Sequence, residues 1–228
     1  MRGLAIIGGE GPPPELLRKI AGGADLLAAA DSGLIAAEEA GLRPHWLIGD
    51  MDSLEELSGD GPGGEGLGRL DKYPQERVLR FPPDKDFTDT ELAFNLLREK
   101  GCGEILIAGG GGGRTDHLFG IRSLFEREDP PLTWFTEKEE IRCLMPGASY
   151  SKTLPGGSLV SVFPLGTGPW EAESEGLKWP LGGFPWKRES AALSNITLDG
   201  TFRVSSRQGK FMIIMPLYFG EKDPLIFN

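Results

Sequence analysis

Up to about residue 137 the chain alternates short apolar runs with stretches of helical periodicity. The runs are LAIIGG, DLLAAAD, HWLIGD, RVLRFPP, EILIAGG and LTWFTE, and between them lie PELLRKIAGG, SGLIAAEEAG, TDTELAFNLLREKG and HLFGIRSLFERE. Strands alternating with helices of roughly 10 to 15 residues predict a parallel sheet covered by helices on both faces. One helix is well punctuated. Thr88 and Glu91 have the T-x-x-E spacing of a capping box, Arg98 and Lys100 fall in the last turn, and Gly101 can close it.

After Met145-Pro146-Gly147 the helical period disappears. SYSKTL, SLVSVFPLG and SAALSNITLDGTFRVSSRQGKFMIIMP come next, with turn signals at Pro155-Gly156-Gly157, Asp199-Gly200 and Gln208-Gly209. Short strands joined by glycine turns predict an antiparallel sandwich or barrel-like domain. The fold class expected is therefore α/β. An N-terminal parallel-sheet α/β domain (1–140) precedes a smaller C-terminal antiparallel β-sandwich domain (141–228). Roughly 80 residues make a small independent core, so the second domain should pack on the first or on another subunit. The stretch Ser58 to Gly68, SGDGPGGEGLG, reads as a surface loop.

Composition narrows the function. Of 228 residues, 39% are hydrophobic and 25% charged, a balance suited to a soluble globular protein. No apolar run approaches the roughly 20 residues that span a bilayer, and the N-terminus lacks the longer apolar core of a secretory signal. A cytoplasmic protein is expected. The net charge of −10 disfavours nucleic acid and anionic membranes as partners. It admits ATP provided that a divalent cation intervenes. The two cysteines, Cys102 and Cys143, form no CxxC pair and read as buried thiols.

In an open α/β sheet, ligands bind outside the carboxyl ends of the strands, so the residues just after each apolar run carry the chemistry. DLLAAA leads into Asp31-Ser32-Gly33, HWLI into Gly49-Asp50-Met51-Asp52-Ser53, and RVLRFPP into Asp84-Lys85-Asp86-Phe87-Thr88-Asp89. EILIA leads into Gly109 to Gly113 and then Arg114-Thr115-Asp116-His117. Asp50 and Asp52, two apart, share a side of an extended chain, and Asp86 and Asp89 can converge across a helix start. Gathered carboxylates repel one another unless a hard cation neutralises them, and Mg²⁺ prefers carboxylates with phosphate oxygens and water. The glycine run lets backbone N–H groups approach a polyphosphate just before a helix N-terminus. Lys85 and Arg114 suit phosphate oxygens.

Each segment alone has a plainer reading. Asp50 and Asp52 suit a turn, Asp86 and Asp89 suit a helix N-terminus, and His117 can cap or pack. The glycine run lacks the Lys-Ser/Thr of a Walker A motif and the spaced acid of a dinucleotide fingerprint. Four such segments at consecutive strand ends form a rim that the plainer readings do not explain.

The motifs AADSG (29–33), IGDMDS (48–53), KDFTDTELA (85–93), GGGGGRTDH (109–117), SVFPL (161–165), GLKWPL (176–181) and LSN (193–195) resemble the thiamine pyrophosphokinase family in order and spacing. The resemblance covers nearly the whole chain. It implies an N-terminal ATP-binding domain, a C-terminal β domain and a homodimer. The implied reaction moves the diphosphate of ATP to the hydroxyl of thiamine, giving thiamine diphosphate and AMP. Position by position, Asp50, Asp52, Asp86, Asp89 and Asp116 match the magnesium and polyphosphate site, with Asp50, Asp52 and Asp89 as metal ligands. Lys85 and Arg114 match phosphate ligands. Asp31, Ser32 and Gly33 border the nucleotide, as do Gly112, Gly113 and His117. Ser194 and Asn195 match the segment that meets thiamine across the dimer interface. Ser32, Leu34-Ile35, His45 and Phe87 depart from the family pattern but leave the acids intact.

Diphosphoryl transfer needs in-line positioning and charge neutralisation more than covalent help. Asp116 or Asp86 could take the hydroxyl proton. Thiamine is a flat cation that should favour aromatic faces, and the segment from Trp179 to Trp186 offers them, with Trp186 as the candidate contact. Trp186 could instead fill the core. Two rivals stand beside this reading: a pyrophosphokinase for another small alcohol such as a hydroxymethylpterin, and a non-catalytic nucleotide- or thiamine-binding regulator.

Overall fold

The structure, a computed structural model, describes residues 1–50, 70–82 and 84–219. The expected surface loop from Ser58 to Gly68 lies outside the described residues. The chain divides into two compact units, Met1–Ile121 and Arg122–Asn228.

The first unit is built on five strands: β1 (Arg2–Ile6), β2 (Leu26–Ala30), β3 (Trp46–Gly49), β4 (Val78–Arg80) and β5 (Glu104–Ala108). All pair in parallel, in the order β5-β1-β2-β3-β4. Between them run α1 (Pro14–Gly22), α2 (Gly33–Glu39) and α3 (Asp89–Glu99), and α4 (Thr115–Leu124) comes after β5. Strands buried on both faces read as unbroken apolar runs, and Leu4 to Ile7, Leu27 to Ala30 and Ile105 to Ala108 are all buried. Register shows which helix takes which face. Leu34 of α2 packs with Ala29 and Leu47. Leu97 of α3 lies so close to Gly3 that a Cβ there would come within 3.0 Å of it. Gly3 pairs with Leu26 and Ile6 with Ala29, so Gly3 and Ala29 face opposite ways. The helices therefore cover both faces, as the alternation predicts.

Helix α3 has the termini that its sequence announces. The Thr88 hydroxyl accepts from the Glu91 N–H, and the Glu91 carboxylate accepts from the Thr88 N–H. At the other end Cys102 N–H donates to Leu97 O and Gly101 N–H to Arg98 O, the pair of bonds that closes a Schellman turn. Ala93, Phe94, Leu96 and Leu97 form its buried stripe.

The second unit holds β6 (Thr133–Phe135), β7 (Glu139–Leu144), β8 (Ser149–Thr153), β9 (Leu159–Leu165), β10 (Glu171–Glu175), β11 (Ala192–Ile196), β12 (Thr201–Gln208) and β13 (Lys210–Pro216). They form two antiparallel sheets, β11-β9-β13-β7-β6 and β10-β12-β8. Val160, Val162, Phe211, Ile213 and Met215 from one meet Ala172, Phe202 and Val204 from the other in a common core. This is a sandwich. Two details differ from the expectation. LTWFTE continues the first half's strand–helix alternation, yet β6 pairs antiparallel with β7, because the intervening turn closes locally through Glu139 N–H to Thr136 Oγ1. Gln208-Gly209 joins strands of different sheets, with Ser206 Oγ donating to Gly209 O to fix the corner.

The core of the sandwich carries a charge. Glu140 on β7 is fully buried, accepts from Tyr150 Oη at 2.7 Å and pairs with the Lys152 ammonium. Tyr150 and Lys152 stand on β8, so the cluster ties one sheet to the other. Cys102 and Cys143 are free and buried, and burial pushes the Cys143 thiol up to about 11. Among the described residues no helix is long and apolar enough to cross a membrane.

Candidate functional site

Parallel register brings the carboxyl ends of the first unit's strands to one rim. Ile6 pairs with both Ala29 and Ala108, Ala30 with Ile48, and Gly49 with Arg80. The segments beyond these residues all leave the sheet on the same edge.

Asp31 leaves β2 at a φ of 46°, a conformation that non-glycine residues rarely hold. Its N–H is anchored to Ile48 O at 3.0 Å, and its own carbonyl accepts from Leu34 N–H as α2 begins. The carboxylate is thereby laid against Gly49, where a Cβ would come within 1.7 Å of Asp31 Oδ1. Gly49 is required on both counts, since its φ is 144°. Ser32 lies over Gly8 in the same way, with Oγ 2.3 Å from where a Cβ would be. Gly33 packs against the Ile6 carbonyl, so Ser32 and Gly33 seat α2 on the end of β1.

Asp50 comes directly after Gly49, and Gly49 O accepts from Phe81 N–H as the chain emerges from β4. Lys85 then reaches back. Its ammonium lies 3.4 Å from Asp50 Oδ2 and 3.0 Å from Asp89 Oδ1. The lysine side chain is 11% exposed and each carboxylate 19%, so the trio is largely withdrawn from water. Burial pulls the lysine's pKa down, but the bond and charge of Asp89 and the charge of Asp50 outweigh it, and the net direction is up. Asp89 occupies the first turn of α3, where a negative charge is favoured. Asp86 stands exposed in the bend between Lys85 and Thr88. Asp52 lies outside the described residues. Among those that are described, no three of His, Cys, Asp and Glu assemble as a metal cage.

The glycine run is a fastened strip rather than a loose loop. Gly110 N–H donates to Gly8 O at 2.8 Å, while Glu10 and Gly111 exchange backbone bonds of 2.7 and 2.8 Å. Gly109 has a φ of 111° and touches the Ile7 carbonyl where a Cβ would sit at 2.2 Å. The Glu10 carboxyl lies beside Gly112, whereas nothing stands within 4 Å of a Cβ built on Gly113. Beyond it Arg114 and Asp116 form a bidentate pair, with Nη2–Oδ2 at 2.6 Å and Nε–Oδ1 at 3.1 Å. The pair is open to solvent, and His117 beside it is exposed. The bond from Arg114 holds the Asp116 carboxyl below its ordinary pKa and raises that of the guanidinium.

The described rim thus joins Asp50, Lys85 and Asp89 in one cluster, Asp31 with Gly49, and Arg114 with Asp116. It also includes Gly8, Gly9 and Glu10, which the motif pattern does not single out. A signal for them exists in the sequence: a glycine pair directly after the first apolar run occupies the same strand-end position as the acidic motifs.

In the second unit Ser194 sits exposed on β11 at a φ of 54°, its N–H donating to Ser161 Oγ at 3.0 Å. Asn195 is buried and spends its amide on backbone. Oδ1 accepts from Trp179 N–H and Ile196 N–H, and Nδ2 donates to Trp179 O at 2.6 Å. Asn195 therefore fixes Trp179, which is 51% exposed. Trp186 packs on the sandwich core, its ring 4.9 Å from Phe211 and 4.5 Å from Phe184.

The sequence model of the thiamin pyrophosphokinase catalytic domain matches residues 17–130. In fold the chain is similar to the thiamin pyrophosphokinase of Geobacillus thermodenitrificans, at 25% identity and a TM-score of 0.72 over 96% of this chain and 98% of that one. It is similar also to the thiamine pyrophosphokinase of Bacillus subtilis, at 22% identity and a TM-score of 0.74 over 96% of this chain and 100% of that one. The thiamin pyrophosphokinase of Candida albicans aligns at 15% identity and a TM-score of 0.68, over 95% of this chain and 90% of its own. The last two are likenesses of fold. No curated protein matches the chain significantly.

Proposed function

The chain belongs to the thiamin pyrophosphokinase family, and from that premise we propose that it moves the terminal diphosphate of ATP to the hydroxyl of thiamine and releases AMP. The observation that carries this reading is the Lys85 ammonium held between Asp50 and Asp89 at the sheet's carboxyl rim. A cation already occupies the space between those carboxylates, so the donor set suits a hard cation. Asp50 and Asp89 would hold Mg²⁺ together with Asp52, and the bound ion would supply charge neutralisation for the phosphate oxygens.

The chain's own residues do the rest by positioning. Gly110 and Gly111 spend their N–H groups on Gly8 and Glu10, so Gly112, Gly113 and the start of α4 are the part of the strip that meets the polyphosphate. Lys85 and Arg114 are the cations that meet its oxygens, and Asp31 with Ser32 borders the nucleotide. Asp86, exposed in the bend before α3, and Asp116, once Arg114 turns to the phosphates, are the two acids placed to accept the hydroxyl proton. On the acceptor side, Ser194 and the exposed face of Trp179 receive the thiazolium, with Asn195 positioning Trp179. Exposed Leu159 and Leu193, on β9 and on the edge strand β11, contribute to a homodimer contact.

The deciding experiment is AMP release from Mg-ATP with and without thiamine, the product identified by mass. Thiamine-dependent AMP with thiamine diphosphate formed is expected. AMP formed only with another alcohol would discard thiamine, and none with any acceptor would discard the transferase.

A further inference from the structure

Lys85 stands where a metal ion would stand. Its ammonium contacts Asp50 Oδ2 at 3.4 Å and Asp89 Oδ1 at 3.0 Å. These are the two described acids assigned above to magnesium, so the same carboxylate oxygens face two cations. We propose that Lys85 and the divalent cation compete for Asp50 and Asp89, so that the metal binds tightly only with a polyphosphate that draws Lys85 away. This rests on the nucleotide reading of the site and adds to it an order of binding.

The electrostatics favour competition over sharing. With three side chains largely withdrawn from water, a free dication entering beside the ammonium would meet a like charge at short range and weak screening. Displacing the ammonium without giving it a partner would strand a poorly hydrated charge. A polyphosphate removes both obstacles, because its oxygens take the ammonium while its charge attracts the ion.

The geometry shows which partner moves. Asp89 is fixed in the first turn of α3 by the reciprocal Thr88–Glu91 bonds. Asp50 leaves β3 at Gly49, which is itself bonded to Phe81. Lys85 lies in the irregular stretch before α3 and carries a long flexible stem. Arg114 repeats the arrangement at the glycine strip, where it rests on Asp116. Both phosphate-seeking cations of the rim are thus occupied by rim carboxylates.

The test is Mn²⁺ binding by electron paramagnetic resonance to the full chain and to Lys85→Met, folding being checked by circular dichroism. Without nucleotide, Lys85→Met should bind Mn²⁺ about tenfold tighter than the parent, because the competitor is gone. With α,β-methylene ATP, which cannot release diphosphate, the variant should hold the metal–nucleotide pair more weakly than the parent. Lys85→Arg should stay near the parent in bare metal affinity. Equal or weaker bare Mn²⁺ binding by Lys85→Met overturns the proposal, as does an equal gain in Lys85→Arg. The parent provides a measurement that needs no variant: Mn²⁺ bound as tightly to the bare chain as in the presence of the analogue also overturns it. Each result can be read whether or not thiamine diphosphate is formed, so failure of the transferase reading is a separate outcome.

Discussion

The Asp31 carboxylate lies so close to Gly49 that a Cβ on that glycine would come within 1.7 Å of Oδ1. Asp31 belongs to the end of β2 and Gly49 to the end of β3, and the contact sets the spacing between two of the rim's acidic segments. Gly49→Ala must push Asp31 aside and also hold alanine at a φ of 144°. The expected cost is about 1–3 kcal/mol of stability. Because Asp50 is the next residue, kcat/KM for ATP should fall by more than stability alone explains. Thermal unfolding and steady-state kinetics on the same sample check both.

Asp89→Ala separates chemistry from folding. The residue carries one of the two carboxylates on Lys85, yet the start of α3 is held by Thr88 and Glu91. Turnover should fall by at least about 10²-fold with the helix content unchanged. Thr88→Ala should do the opposite in kind, lowering stability by about 1 kcal/mol while leaving measurable turnover. Near-normal turnover in Asp89→Ala would remove Asp89 from the site.

Arg114 sets the protonation of Asp116. In the parent the Asp116 carboxyl titrates below its ordinary 3.8, with hydrogen bonding from Arg114 as the main cause. Arg114→Gln should move that titration upward, read by NMR of the Asp116 carboxyl carbon. A depressed folded-state pKa stabilises above the ordinary value and loses its effect as pH falls through the folded one. Here both side chains are open to solvent, so the acid stability of the chain should hardly change although the titration moves. An unmoved Asp116 titration in Arg114→Gln would show that the pair does not persist in solution.

The sequence reveals most of the rim because strand-end logic is local. DLLAAA and EILIA each end where a buried strand must end, so Asp31 and Gly109 can be placed by inspection. The α3 capping box is equally legible, since its reciprocal bonds join residues three apart in the chain. The features hidden from sequence depend on register and on tertiary neighbours. Nothing in Asn195 indicates that its amide is spent on Trp179, sixteen positions away. Nothing in KDFTD states that Lys85 turns back to Asp50 rather than outward. Glu140 and Lys152 likewise look like surface charges in EEIRCL and SYSKTL, and only the stacking of two sheets buries them.

Trp179 and Trp186 flank the same segment but have different surroundings. Trp186 is packed between Phe184 and Phe211, so Trp186→Ala should cost roughly 2–4 kcal/mol and lower apparent kcat through loss of folded protein, with thiamine KM unchanged. Trp179 is 51% exposed with Lys178 over its ring at 4.8 Å. Trp179→Ala should leave stability nearly unchanged and raise thiamine KM, with ATP KM constant. The reverse pattern would move the acceptor contact to Trp186.

The buried Glu140–Lys152 pair joins the two sheets of the sandwich, with Tyr150 giving Glu140 a further hydrogen bond. A buried pair is expensive to desolvate, so its removal as a unit and its disruption are different experiments. Glu140→Gln takes the Glu140 charge away from the buried Lys152 ammonium, and Lys152→Met takes the ammonium away from the buried Glu140 carboxylate. Each single change should cost about 3–5 kcal/mol in denaturant unfolding. The double variant should cost less than either, because no charge is left stranded. If the two single losses instead add in the double variant, the residues act independently and the pair is not what holds β7 to β8. Turnover measured on the folded fraction should be unaffected throughout, since neither residue belongs to the carboxyl rim of the first unit or to the Ser194 and Trp179 contacts proposed for the acceptor.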